Sequence, residues 1–466
     1  MLAICVITYL LITLPAVIYA SKRVHNSRDY VLAGRNLPFF VSLSTVFATW
    51  FGAEAVMGTS SRVVENGLIG IVEDPFGASL CLILIGVFFA HKLYSQNHLT
   101  LGDYFEARYS RKAANWLSAI IASTYVGWIG AQLVALGIIL ELVLGLPFMW
   151  GITLSCFIVM VYTYLGGMWS VALTDTIQMS VIVISMIIAL FQIEIRMGAW
   201  AITLERTPKE FFRILPEWDT NSILSYLNAW IILGLGSIPQ QDVYQRAMSA
   251  KTARISRMAS IMGGITYFIF ALVPVCIALA ARAMHPELLD INPQYFLPLF
   301  IMEHADIFTQ SLFFGGLIAA ILSTASGALL AASSLFAENV VTMFYRPPTD
   351  KARLWLIRHV LLVVALLSLG LGFYQGYIYE LVSSAYSISL VGAFVPLVFG
   401  LYSKKATAQD SMFCSLCGIV VWLAIRLFAS EEFVMPAPLG GLLASLAAMF
   451  GSIWIKRFLP QTRKAH

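Results

Sequence analysis

Hydroxyl side chains stand in the middle of a long apolar stretch near residue 320. The stretch runs from Leu312 to Val340 and carries no charge before Glu338. The adjacent pair Ser323 and Thr324, with the carbonyl of Ala320 one turn earlier, offers part of an oxygen cage for a hard cation such as Na⁺. Hydroxyls also pack membrane helices against each other, and the pattern is compatible with that simpler role.

Two other apolar stretches contain glycine or proline beside a carboxylate. The first is TWFGAEA at residues 49–55, which contains Glu54. The second is GLGSIPQQD at residues 234–242, which ends with Asp242. Broken backbone at membrane depth is tolerated only where it lines a cavity or is buried in protein. The first break would supply the carbonyl ligands that the hydroxyl pair lacks. Ordinary kinks would explain the glycines but not the matched carboxylates.

The composition excludes a soluble globular chain. Of 466 residues, 59% are hydrophobic and 12% are charged, and the mean hydropathy is +0.82. Such a chain is an all-α polytopic membrane protein. The net charge of +4 does not indicate a nucleic-acid partner. No HExxH-like pair or nucleophile motif is present, so the sequence does not predict an enzyme.

Thirteen apolar segments are predicted to cross the bilayer. They begin near Met1, Pro38, Leu68, Ala113, Pro147, Met168, Ile223, Arg254, Ile307, Leu354, Ile378, Ser411 and Pro438. Basic residues follow the odd-numbered segments, among them Arg28, Arg35, Lys92, Arg108, Arg111, Arg246, Lys251, Arg346, Lys404, Lys405 and Lys456. Positive loops face the cytoplasm, so we expect a plasma-membrane protein with its N-terminus outside and its C-terminus in the cytoplasm.

The two breaks lie five segments apart, in the first helix of each of two five-helix units that run in opposite directions. This pattern is typical of inverted-repeat transporters, whose broken helices bind substrate and ions at the bilayer midplane. The predicted parts are an extra helix and cytoplasmic loop (1–37), a first repeat (38–200), an extracellular loop (201–222), a second repeat (223–403) and two C-terminal helices with a tail (404–466).

Several motifs resemble the sodium/solute symporter family along nearly the whole chain. They are SRDYVLAGRNLP at 27–38, YLGGMWS at 164–170 leading into TDTIQ at 174–178, QR at 245–246 with SAK at 249–251, and the serine stretch of the ninth segment. The resemblance implies a LeuT-type five-plus-five core, with one helix before it and two after it. It also implies that sodium is the coupling ion.

Carried over by position, the sodium site of that family falls on the carbonyls of Phe47, Trp50 and Ala320 and on the hydroxyls of Ser323 and Thr324. A second sodium site of some relatives matches Asp175, Ser323 and Ser326. Gly327 stands where that site has a serine. The resemblance therefore leaves Asp175 and Ser326 as a second sodium site or as a path for ion exit.

Within the family, the chain is similar to the high-affinity choline transporters at ATWFG (48–52), GT (58–59) and SLCLIL (79–84). Trp50 and Trp128 match aromatic residues that hold a quaternary ammonium there by cation–π attraction. Two other cage positions differ, because Ala78 replaces a tyrosine and Gln240 replaces a tryptophan.

The predicted function is sodium-coupled import of a small polar solute, favouring a cationic, choline-like one. The candidate substrate residues are Trp50, Glu54, Trp128, Gln132, Gln240 and Asp242. An amino acid such as proline is the alternative within the same class, and a transporter-like solute sensor is the alternative from another. The expected partners are the solute, sodium and the lipid bilayer.

Overall fold

A computed structural model describes residue 15 and residues 18–286, 292–374, 376–429 and 433–456. These residues are predominantly helical, and their only ladder-type pairing is one isolated backbone bridge. The first predicted segment, which begins near Met1, lies outside the described residues except for its end.

Helices α1 to α8 lie before residue 198, and α1 precedes the first repeat. Their bounds are α1 Ser27–Leu32, α2 Phe39–Phe47, α3 Thr59–Asn66, α4 Ala78–Leu84, α5 Ala90–Gln96, α6 Leu101–Arg108, α7 Arg111–Leu144 and α8 Phe148–Met197. Wide π-type helical turns join some of them, including Ala53–Gly58 between α2 and α3. The helices α2 and α3 with that turn form the first broken helix.

The remaining helices follow in chain order. They are α9 Ala199–Arg206, α10 Thr220–Gly236, α11 Gln241–Met248, α12 Ala253–Met284, α13 Pro293–His304, α14 Ile307–Asn339, α15 Asp350–Tyr374, α16 Ile378–Ser389, α17 Val395–Tyr402, α18 Ala408–Phe428 and α19 Ala437–Ile455. The helices α10 and α11 bend by 50° at their junction and form the second broken helix. We call α14 the serine helix.

Among the described residues, nine helical stretches are long and apolar enough to cross a membrane, and the bent pair α10–α11 makes a tenth. Two of the nine are too long for one crossing. A 50-residue helix such as α8 extends about 75 Å, whereas a hydrocarbon core of about 30 Å needs roughly 20 residues. It divides at Gly167, where the backbone leaves helical geometry. The stretch Ala53–Gln96 divides near Asp74 in the same way.

With these two divisions the described residues contain all predicted segments from the second onward. The predicted start points fall close to the observed helices, so the segment pattern is confirmed for this part of the chain. Hydropathy identified the segments because each span buries its backbone hydrogen bonds within itself.

The two broken helices run in opposite directions. Leu37, at the start of the first, forms the isolated backbone bridge with Ala250, just after the end of the second. The Leu37 N–H donates to the Ser249 carbonyl at 3.1 Å, and the Lys251 N–H donates to the Leu37 carbonyl at 2.9 Å. The start of one broken helix and the end of the other therefore share one end of the protein, as an inverted repeat requires.

Several loops that are rich in basic residues, and that we expect on the cytoplasmic side, contact one another at this same end. Their hydrogen bonds join Ser27 to Asp350, Tyr94 to Ala250, Arg108 to the carbonyls of Gly400, Ser403 and Ala406, and Arg111 to the Thr342 carbonyl. The loops assigned to one side of the membrane thus lie together. Arg246 is the exception, because it is buried within α11 and does not belong to a solvated loop.

The serine helix is central and the last two helices are peripheral. In the most apolar 18-residue part of the serine helix, 94% is buried inside the protein. The corresponding buried share is 28% for each of α18 and α19. The serine helix packs against α7 and α8, and α18 packs chiefly against α19. This arrangement matches a core of two repeats followed by two additional helices.

The turn at Gly167 is the clearest backbone constraint in the fold. Gly167 has φ +51° and ψ −149°, a region that is essentially restricted to glycine. A Cβ there would lie 2.5 Å from the Tyr30 ring and the Tyr30 carbonyl. Gly167→Ala should therefore lower the melting temperature of the purified protein markedly, since strain of about 1–3 kcal/mol adds to the steric clash.

Gly370→Ala is the matched control for this variant. Gly370 lies within α15, and a Cβ there would meet no atom within 4 Å. The control should melt at or above the temperature of the unmodified protein, because alanine favours a helix over glycine. A melting temperature of the Gly167→Ala variant equal to that of the unmodified protein would contradict the turn assigned at Gly167.

Candidate functional site

The first break lies directly against the serine helix. Regular helical bonding ends where the Ala48 N–H donates to Ser44, and the Gly52 N–H donates to the Trp50 carbonyl at 2.9 Å. The Thr324 hydroxyl donates to the Ala48 carbonyl at 3.1 Å. A Cβ on Gly52 would lie 3.4 Å from the same hydroxyl oxygen. Unwound backbone and a hydroxyl oxygen therefore converge at this point.

The neighbouring hydroxyl points to a different partner. Ser323 donates to a carboxylate oxygen of Asp175 at 2.5 Å, and its oxygen lies 3.4 Å from the Thr174 hydroxyl. Ser326 donates to the Leu322 carbonyl of its own helix at 2.7 Å. The pair Ser323 and Thr324 thus bridges α8 and the first broken helix, while Ser326 is engaged within its own helix.

The other predicted sodium ligands are buried beside this contact. Phe47, Trp50 and Ala320 are 4%, 1% and 0% exposed. The carbonyl that Thr324 contacts belongs to Ala48, which the sequence did not single out. Ala48 follows the predicted ligand Phe47, so the predicted and observed carbonyls differ by one residue along the unwound backbone.

The second break is tied to α7 through polar side chains. The Tyr125 hydroxyl donates to Asp242 at 2.6 Å, and Asp242 pairs with Arg246 at 3.4 Å. The Gln240 amide donates to the Thr124 hydroxyl at 3.1 Å. Asp242 and Gln240, both predicted to face the substrate, are therefore already engaged with protein partners.

Aromatic rings surround the centre between the two breaks. The Trp50 indole N–H donates to the Tyr386 hydroxyl at 2.6 Å. The Tyr386 ring centroid is 6.1 Å from Trp128, and the Tyr267 centroid is 6.3 Å from Trp50. The structure thus brings the predicted Trp50 and Trp128 together and adds two tyrosines from α16 and α12.

Three buried polar atoms near these rings have no hydrogen-bond partner among the described residues: Glu54 Oε2, Trp128 Nε1 and Gln132 Oε1. Trp128 and Gln132 are four residues apart on α7 and so share one face. The Trp128 indole N–H lies close enough to the Glu54 carboxylate to act on it as a hydrogen-bond donor, although the pair falls short of a well-formed hydrogen bond. Because buried polar groups in native proteins are nearly always satisfied, the convergence of such atoms is typical of a ligand site.

Two further carboxylates lie in electrostatic reach of Glu54. Asp74 accepts from Tyr267 at 2.7 Å and from Thr59 at 2.8 Å. Glu73 accepts from Tyr379 at 2.7 Å. Both are buried. Three buried carboxyl groups therefore lie close to one another near the aromatic rings.

Sequence reasoning missed Tyr125, Tyr267 and Tyr386. Tyr125 had a local signal, since it lies three residues before Trp128 and so falls on the same helix face. Tyr386 stands among small and hydroxyl residues in SSAYSIS, which would leave room around the ring. Tyr267 carries no local signal that distinguishes it from a packing residue.

Known proteins resemble the chain along most of its length. The model of the sodium:solute symporter family matches residues 30–418. The high-affinity choline transporter 1 of Drosophila melanogaster is 27% identical, over 94% of this chain and 72% of that protein. The sodium/proline symporter of Escherichia coli (strain K12) is 26% identical, over 90% of this chain and 86% of its own.

The fold has a counterpart among solved structures. A substrate-bound, outward-open Na⁺-coupled sialic acid symporter superposes with a TM-score of 0.82 and 19% identity, covering 99% of this chain and 98% of the other. At that identity the likeness shows the fold alone, which is of the LeuT type, as the family resemblance implied. The relatives are transporters and not enzymes. Family model, relatives and fold agree, and the chain belongs to the sodium:solute symporter family.

Proposed function

We propose that this chain imports a small organic cation of the quaternary-ammonium class, such as choline, together with sodium. The observation that carries the proposal is Glu54, whose Oε2 is buried and unpartnered among the described residues beside aromatic rings. A cation over the face of tryptophan or tyrosine gains about 0.5–2 kcal/mol, with the larger value where water is excluded. The similarity to a high-affinity choline transporter supports the same substrate class.

The charge around the centre favours a cation over a zwitterion. Glu54, Glu73 and Asp74 are buried. Arg62, which acts electrostatically on Glu73, lies over the Tyr379 ring with a side chain that is 36% exposed. The carboxylate of an amino acid would face these acids. Proline nevertheless remains the second candidate, because Gln132 offers a free polar atom and a sodium/proline symporter is among the relatives.

Sodium is proposed to bind where the serine helix meets the first break. The ligands would be the hydroxyls of Ser323 and Thr324 and the carbonyls of Phe47, Trp50 and Ala320, with Ala48 as a neighbour. The contact of Thr324 with the Ala48 carbonyl supports this position. Sodium binding would replace this hydrogen bond by contact of the Thr324 hydroxyl oxygen with the ion.

Coupling follows from the shared position of the two sites. The unwound stretch that carries the proposed carbonyl ligands also carries Trp50, which contacts Tyr386. If sodium orders this stretch, it also orders the ring of Trp50 and the tyrosine that Trp50 contacts. Sodium and the solute would then each raise the affinity for the other to the same extent. One sodium ion moving through about 100 mV supplies roughly 2.3 kcal/mol, or about a 50-fold concentration ratio.

The end that carries Leu37 and Ala250 is proposed to face the cytoplasm, with the N-terminus outside and the C-terminus inside. The concentration of basic residues at that end supports this orientation.

Uptake into proteoliposomes tests the proposal. We expect labelled choline to accumulate under an inward sodium gradient and to fail to accumulate when potassium replaces sodium. Labelled proline in a parallel assay should not accumulate. Sodium-driven uptake of proline without uptake of choline would overturn the cationic substrate class, while retaining sodium coupling.

A further inference from the structure

Two histidines meet at the end of the protein that is opposite to the Leu37–Ala250 bridge. The helix α12 begins at Ala253, just after the bridge, and its 32 residues extend about 48 Å. His285 directly follows this helix, and His304 is the last residue of α13. Their ring centroids are 4.3 Å apart, with ring planes inclined by 53°. Both residues are half-buried, and the orientation proposed above places them outside the cell.

The contact of His304 with its own helix fixes which of its ring nitrogens can bind a metal. Its Nδ1 lies 3.1 Å from the Phe300 carbonyl oxygen. A carbonyl oxygen only accepts, so Nδ1 carries the proton and Nε2 of the neutral ring keeps a lone pair. The Phe300 ring stacks on the imidazole, with the centroids 4.5 Å apart. Metal-binding histidines are oriented in the same way, by donation from the second ring nitrogen to a backbone carbonyl.

The distance between the two imidazoles suits one shared ion. Zinc binds imidazole nitrogens at about 2.0–2.1 Å in tetrahedral geometry, which places the centroids of two ligating rings about 5 Å apart. The observed separation of 4.3 Å differs from this value by a small tilt of the rings. The base in the last turn of α12, Arg282, is engaged elsewhere, because it donates to the Val64 carbonyl at 2.8 Å and lies over the Phe211 ring.

An ion at this place would join the end of α12 to a helix that lies on the first broken helix. The helix α13 packs against α3 and against the wide turn Ala53–Gly58. Near its start, Gln294 accepts from the Ile378 N–H at 2.8 Å and donates to the Gly376 carbonyl at 3.0 Å, so this end is tied to the start of α16. A metal bridge through His304 would fix the other end of α13 as well.

We propose that His285 and His304 form a binding site for Zn²⁺, and that the bound ion restrains α13 on the first broken helix. Imidazole ligands select zinc and related transition metals over magnesium and calcium. Alternating access moves the parts of such a fold against each other, so a restrained α13 slows the transport cycle. The site itself depends neither on the identity of the solute nor on sodium coupling.

Titration of the purified full-length protein with Zn²⁺ in competition with a chromophoric chelator tests the site without any solute. The protein carries no polyhistidine tag in this experiment. One zinc ion should bind per chain, and His285→Gln or His304→Gln should each lower the affinity at least about 10-fold. Absence of zinc binding, or an affinity that neither substitution lowers, would overturn the site.

His359→Gln is the matched control. The Nδ1 of His359 also lies 2.8 Å from a backbone carbonyl one turn earlier in its helix, that of Trp355. The substitution should leave the zinc affinity unchanged. A loss of affinity equal to that of His304→Gln would contradict the assignment of zinc to the histidine pair.

Hydrogen–deuterium exchange measures the restraint on α13. Zinc should slow amide exchange across residues 293–304 in the unmodified protein and in His359→Gln, but not in His304→Gln. Unaltered exchange in this segment with zinc bound would refute the restraint. Slowing that persists in His304→Gln would assign the effect to a different site.

Transport in proteoliposomes measures the consequence. Zinc on the outside should lower the initial rate of sodium-driven choline uptake, and EDTA should restore the rate. An unchanged rate with zinc bound would refute the effect on transport. A failure of choline uptake in the absence of zinc would instead contradict the proposed function, whereas zinc binding and amide exchange decide this inference by themselves.

Discussion

Glu54→Gln should lower the affinity for a quaternary ammonium substrate at least about 30-fold. Loss of one partner from a desolvated charge pair costs about 2–5 kcal/mol, which corresponds to this factor or more. Glutamine has nearly the same shape, so the aromatic rings keep their packing. The measurement is competition for uptake of labelled choline by unlabelled choline and by its uncharged tert-butyl analogue.

The two competitors separate charge from shape. The unmodified protein should prefer choline strongly over the uncharged analogue, and Glu54→Gln should bring the two close to equality. Glu141→Gln serves as the control, since it removes a carboxylate from α7 that accepts from Tyr295 at 2.7 Å, away from the aromatic rings. An unchanged preference for choline in Glu54→Gln would contradict the role of this carboxylate.

Thr324→Ala should raise the sodium concentration for half-maximal uptake about 10- to 100-fold. Hydrogen bonds to charged groups contribute about 1.5–3 kcal/mol, and we expect a similar loss for the contact between this hydroxyl and the ion. Thr324 is the hydroxyl of the serine helix that contacts the unwound backbone of the first broken helix. Sodium titration of choline uptake gives this value. The apparent affinity for choline at saturating sodium should change much less.

Three further variants distinguish ion binding from helix packing. Thr324→Ser keeps the hydroxyl and should retain most of the sodium affinity, while Thr324→Val keeps the volume and should behave like the alanine variant. Ser333→Ala is the control on the same helix, because its hydroxyl donates to the Leu329 carbonyl at 2.7 Å. If valine preserves sodium affinity and serine does not, the hydroxyl is a packing group.

Much of the architecture could be predicted because its signals are local. Hydropathy predicts the positions of the segments, and glycine and proline predict the two breaks. Basic residues near the helix ends predict which loops lie at the same end of the protein. The pair Ser323 and Thr324 was conspicuous for the same reason, as two adjacent hydroxyls in an apolar helix. Whether they bind sodium stays a prediction.

The remainder depends on contacts between residues distant in sequence. Arg246 looked like a loop cation, since neither Asp175 nor the space at Gly327 is close to it along the chain. In the sequence, Gly327 stands where a second sodium site would need a serine. In the structure, the absence of a side chain at Gly327 leaves room for the Arg246 guanidinium. Likewise, the substitutions at Ala78 and Gln240 suggested half an aromatic cage, and Tyr267 and Tyr386 supply rings from other helices.

The backbone bridge between Leu37 and Ala250 has an evolutionary consequence. Both of its hydrogen bonds use main-chain atoms only, so few side-chain substitutions can delete them. The bridge therefore tolerates substitution of the side chains of Leu37, Ser249 and Lys251. Among side chains, Tyr94 reinforces the bridge, because its hydroxyl donates to the Ala250 carbonyl at 3.0 Å while Arg35 covers its ring.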